Sequence, residues 1–147
     1  MPALDDHVSD YDVNEVHAIA LDMRPETALA RVLALPAGSD RIVRALFRLR
    51  GVRGGNLPIE RFAREVLALE FAERTATRAV AVGHVRRIHI GISFEAEPQA
   101  NGGSRLVTET RVAGGGFRFR LYWFAVAPFS GVIRRRWLRA VARSERS

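Results

Sequence analysis

Cysteine is missing from the sequence, and lysine with it: all 23 basic side chains are arginine. Without cysteine there is no disulfide, no thiolate nucleophile, no iron–sulfur cluster and no thiolate-bound structural zinc. Without lysine there is no Schiff-base chemistry and no phosphate loop built on an ammonium group. An all-arginine set is also what a GC-rich coding sequence produces, so the formal charge of +7 says less about partners than it would otherwise. Long apolar runs are absent too. The longest uncharged stretch, Leu121 to Ile133, holds 13 residues, short of the roughly 20 that cross a bilayer as a helix. The opening "MPALDDHVSDYD" is acidic and lacks the basic and apolar regions of a secretory leader. These features predict a soluble, cytoplasmic protein with no transmembrane segment.

At 147 residues the chain is long enough to bury one substantial core. Residues 1–10 read as a flexible arm and 11–147 as a single domain. "YDVNEVHAIALDM" alternates like a strand and stops before Arg24-Pro25. Proline suits a first helical position, and "RPETALARVLALP" continues with helical spacing. Ser39 or Asp40 can cap the next helix, "RIVRALFRLRG", whose apolar side is read as Ile42, Leu46 and Leu49 and which stops at Gly51. A glycine-rich loop with about one helical turn follows. Then come four strand signals, "VLALEFA", "TRAVAVGHV", "IHIGISFEAE" and "RLVTETRV", joined by short turns. From about Phe117 the periodicity is helical again. Sequential strands with short turns make a meander, so the fold class is α+β, not doubly wound.

Alternation assigns the faces. Val13, Glu15, His17, Ile19 and Leu21 share the expected inner side of the first strand. Ile88, Ile90, Ile92 and Phe94 face inward, with His89 outward. Val80 and Val82 are the bulkier set of their strand and carry His84 with them. Leu106, Thr108, Thr110 and Val112 share a face. On the last helix Tyr122, Val126, Phe129, Ile133, Trp137 and Val141 recur at three and four. Arg134, Arg135 and Arg139 fall mostly off that stripe. Pro128 interrupts the pattern, and a broken helix does not pack flush on a sheet.

Several stretches together resemble a known superfamily. "YDVNEVHAIALDMRPETALARVLAL" is similar to its first strand and helix start. "GSRLVTETRV" resembles its late strand, and "FRLYWFAVAPFSGVIRRRWLRAV" the closing helix of a bacterial subgroup without a settled activity. The superfamily is the START-like, helix-grip group, which includes polyketide cyclase/dehydrase-like and birch-pollen-allergen-like proteins. The resemblance implies a curved antiparallel sheet wrapped around a long C-terminal helix, with a cavity between them. It supplies no shared catalytic motif. The chain departs from the pattern between "VGHVRR" and "ISFEAEP", where relatives carry a longer segment.

Glu15 and His17 lie two apart on one strand face, about 7 Å between Cα atoms, and form a candidate acid–base pair. They are equally a polar couple that orients a ligand or satisfies its surroundings. His84, Thr108, Thr110, Tyr122, Trp123, Val126, Phe129 and Ile133 are the candidate ligand-binding residues. No metal site and no cofactor is implied. Three functions follow: binding of a small apolar or aromatic molecule; a cofactor-free cyclase, dehydratase or lyase; and attachment to anionic membrane or nucleic acid through the C-terminal arginines, for which no reader motif makes a strong case. Oligomeric state is left open, a dimer included.

Overall fold

A computed structural model of the protein describes Leu4, Val8, Tyr11 and residues 13–85, 88–114 and 131–144. In chain order these form β1 (Val13–Leu21), α1 (Pro25–Ala34), α2 (Arg41–Arg50), α3 (Ile59–Glu65), β2 (Glu70–Arg74), β3 (Arg78–Val85), β4 (Ile88–Pro98) and β5 (Ser104–Ala113). Residues 131–144 are the described part of a last helix, α4. The strands make one five-stranded antiparallel sheet in the order β1-β5-β4-β3-β2. Helices sit on one face of it. The protein is therefore α+β, with a helix-grip arrangement of sheet and C-terminal helix.

Local chemistry explains the element ends. Pro25 opens α1, where its missing N–H costs nothing. Asp40 caps α2 by accepting from the Ile42 and Val43 N–H groups at 2.8 and 3.2 Å. Gly51 ends α2 in the left-handed region at φ 69°. Three expectations need correction. The glycine-rich loop leads into a seven-residue helix, α3, not a single turn. "VLALEFA" is a strand only from Glu70, because Val66 and Leu69 donate backwards to Phe62 and Ala63 and close the end of α3. On α2 the buried side is Val43 and Phe47, while Ile42 and Leu49 are exposed. Both stripes have helical spacing. Phe47 wins because it stacks on Phe62 of α3, with ring centroids 5.3 Å apart.

The main core lies between the inner sheet face and the helices. Leu21, Phe94, Ala96 and Leu106 meet Leu29, Val32 and Leu33 of α1 and Trp137, Leu138 and Val141 of α4. Trp137 is fixed further by an Nε1–H bond to the Ala37 carbonyl at 2.8 Å. The outer sheet face is not simply solvated. Leu4 and Val8, within the stretch read as a flexible arm, are buried against it. Gly91 makes room for them: a Cβ there would stand 2.8 Å from Val8 Cγ2. Beside them Arg111 and Glu109 pair at 3.1 Å, Asn14 donates to Glu109, and Arg111 also donates to the Val8 carbonyl.

Candidate functional site

Alternation and register bring the candidate residues of β1 and β5 together. Glu15 stands opposite Thr110, and His17 opposite Thr108. Directly opposed residues in antiparallel strands point to the same face. Each strand thus changes character along its length: Leu21 and Ile19 face Ser104 and Leu106 at one end, His17 and Glu15 face the threonines toward the other. Thr108 and Thr110 are buried. Glu15 Oε1 and His17 Nε2 are 2.7 Å apart, a hydrogen bond between side chains 15% and 17% exposed. With the carboxylate ionised, the ring N–H is the donor.

The described part of α4 packs over this pair at Gly131. Gly131 is buried, and a Cβ on it would lie 2.9 Å from Glu15 Oε1 and 3.7 Å from His17 Nε2. Any larger residue there would push the carboxylate aside. One turn along, on the same helix face, is Arg134. Its side chain is buried, with 7% exposure. Burial pulls its guanidinium down to about 10, and the charge of Glu15 opposes that pull. The group stays protonated at neutral pH. No ion pair within 4 Å joins Arg134 to an acidic side chain among the described residues.

The patch is under-satisfied. Glu15 Oε2, Thr108 Oγ1, Thr110 Oγ1 and Arg134 Nη1 are all buried without a hydrogen-bond partner among the described residues, as is Ser104 Oγ. Buried polar atoms are nearly always paired in folded proteins, so four on one patch mark it out.

Other candidates fall elsewhere. His84 is opposite His89, and the rings stack with centroids 4.1 Å apart on the outer face. It does not join Glu15 and His17, contrary to the reading from bulk. The reason is that both faces of β3 are covered. Val80 and Val82 pack with Leu4 outside, while Ala81 packs with Ala63 and Leu69 inside. Size alone then does not tell the faces apart. Ile133 is half-buried against the main core. Tyr122, Trp123, Val126, Phe129 and the Pro128 break lie outside the described residues. Arg134, placed off the apolar stripe by residue type, is inside. A signal for this is present in the sequence: it precedes Trp137, Leu138 and Val141 at three, four and seven.

The arginine run is divided in its tasks. Arg136 and Arg143 hold Asp40 at 2.6 and 3.2 Å, and Arg135 and Arg139 are exposed. No helix among the described residues is long and apolar enough to cross a membrane. A groove of about 570 Å³ lies away from the sheet, walled by Pro36, Arg44, Phe47, Arg48 and Gly55 among others. It is open to solvent and shares no residue with the Glu15–His17 patch. Buried, unpaired polar groups are the stronger mark of a site, because a wide surface groove removes little of a ligand from water.

No protein-family model and no curated protein matches the chain. Among solved structures it is similar to TTHA0849 from Thermus thermophilus, at 13% identity and a TM-score of 0.37, over 92% of this chain and 100% of that one. It is also similar to Ara h 8.0201, at 8% identity and a TM-score of 0.29, over 84% of this chain and 96% of that one. At this distance neither protein carries a residue role or a ligand over to this chain.

Proposed function

We propose that the protein binds a small, largely apolar or aromatic molecule between the inner sheet face and its C-terminal helix. The observation that carries this reading is the set of buried polar atoms on Glu15, Thr108, Thr110 and Arg134 without partners among the described residues. Leaving a polar group dry costs about 1–3 kcal/mol each, a cost that a bound molecule with a polar end removes. The apolar half of the same face, from Ile19 to Phe94, belongs to the core and supplies a greasy neighbour for the rest of the molecule. Segment 115–130, with Tyr122, Trp123, Val126 and Phe129, is the expected further wall. The test is a thermal-shift and calorimetric screen with small aromatic and aliphatic compounds. Saturable binding that Thr108→Val, Thr110→Val or Arg134→Met weakens is the expected result. An experimental structure with 115–130 packed solidly onto Thr108 and Thr110 would overturn it.

The 2.7 Å contact between Glu15 and His17 favours a second reading, a cofactor-free cyclase, dehydratase or lyase. His17 is then the base that takes a substrate proton, and Glu15 orients the ring and balances its charge. If His17→Ala left turnover of an identified substrate intact, this assignment would fail.

A further inference from the structure

Glu15 and Arg134 together constrain the chemistry of the ligand's polar end. Glu15 spends Oε1 on His17 and leaves Oε2 buried without a donor among the described residues. Arg134 leaves Nη1 buried without an acceptor among the same residues. The charge of Glu15 acts on Arg134, yet no ion pair within 4 Å joins them among the described residues. Gly131, packed against Glu15, and Arg134 follow each other by one turn on the same face of α4. An acceptor-seeking cation and a donor-seeking anion thus border one small patch, each with one buried atom unmet among the described residues.

We propose that the ligand's polar end is a neutral group carrying both an acceptor and a donor, of the carboxamide class, set between Arg134 Nη1 and Glu15 Oε2. This rests on the reading that a small molecule binds between sheet and helix. A carboxylate end would suit Arg134 but bring a second anion to Glu15. An ammonium end would suit Glu15 but meet the guanidinium. Like charges in a desolvated site disfavour each other strongly. An ester offers an acceptor alone and leaves Glu15 Oε2 dry. A primary amide donates through N–H and accepts through its carbonyl, so it meets both. The Thr108 and Thr110 hydroxyls rotate to donate or accept, and they tolerate either orientation of the amide.

The experiment uses the full chain and a matched series measured by calorimetry: 2-naphthamide, methyl 2-naphthoate, 2-naphthoate and 2-naphthylmethylammonium, with decanamide and methyl decanoate as a second body shape. The amide is expected to bind at least about tenfold tighter than the ester, since one unmet buried group is worth about that factor. The carboxylate and ammonium ends are expected to bind more weakly than the amide. Arg134→Met should move the preference toward the ammonium, and Glu15→Leu toward the carboxylate. Equal affinity of amide and ester would overturn the inference while leaving the small-molecule reading intact, because the two unmet atoms would then be served by water. No binding of either body shape would overturn that reading and the inference with it. The comparison within the unmutated protein decides the matter even where a variant fails to fold.

Discussion

Asp40, a buried carboxylate, and Glu15, a half-buried one, both face arginines of the C-terminal helix, and they end in opposite states. Asp40 accepts from the Arg136 and Arg143 guanidinium groups and from the Ile42 and Val43 backbone N–H groups. Burial pushes its carboxyl up, but those four donors outweigh burial and hold it at about 2, against an ordinary 3.8. Among the described residues Glu15 has one partner, His17, and its charge reaches Arg134 without an ion pair between them. The same residue types on the same helix give a finished clamp at one point and an unfinished patch at the other. A saturated cluster fixes structure. An unsaturated one stores a demand that something else must meet.

The clamp carries the largest expected effect. Asp40→Ala removes the α2 cap and both helix contacts at once. A loss of about 2–3 kcal/mol is expected from the capping and buried-pair magnitudes, reduced because Arg143 is largely exposed. That is a fall in Tm of about 5–10 °C by scanning calorimetry. The acid limb supplies the sign. Because the folded carboxyl titrates below the unfolded one, its stabilisation is complete above about pH 4 and is lost as pH falls through about 2. The unmutated protein should lose about 2 kcal/mol more than Asp40→Ala over that window. Parallel acid limbs for the two proteins would show that the clamp is not saturated.

Much of this contrast is legible in the sequence, and the rest is not, for identifiable reasons. β1 and β5 alternate so regularly that Glu15, His17, Thr108 and Thr110 take their faces from the residue pattern alone. That Glu15 meets Thr110 and His17 meets Thr108 depends on a register between strands about 95 residues apart, and no local pattern specifies it. Bulk puts His84 on the wrong face because the N-terminal Leu4 covers the outer face, which makes valines welcome there. Spacing picks the wrong α2 stripe because two apolar sides compete and only Phe62, on a different helix, chooses between them. Arg134 has helical spacing in its favour and residue type against it, since arginine is almost never fully buried unless paired. Where type and spacing conflict, function is a ready explanation for the burial.

The patch should respond with the opposite sign to the clamp. Arg134→Met removes a buried cation whose guanidinium burial pulls down to about 10. Replacing a poorly paired buried ion by an apolar chain of similar length is often stabilising. A gain of about 1–2 kcal/mol in the ligand-free protein is expected, together with loss of head-group selectivity. Destabilisation instead would mean that Arg134 is satisfied as it stands and belongs with the clamp.

The smallest effect is the sharpest discriminator. Thr110→Val exchanges a hydroxyl for a methyl group at a site 2% exposed, where Oγ1 has no partner among the described residues. Shape is nearly kept and a dry polar atom is removed, so the change should be neutral to stabilising by about 1 kcal/mol. Thr75 provides the control. Its Oγ1 accepts from the Arg78 N–H at 3.0 Å and from the Thr77 N–H at 3.4 Å in the turn before β3. Thr75→Val removes both and should cost about 0.5–1 kcal/mol. One substitution thus carries two signs, set by whether the hydroxyl already has work in the fold. If chemical denaturation gives both variants the same negative sign, then Thr110 is satisfied within the protein and has no part in holding a ligand.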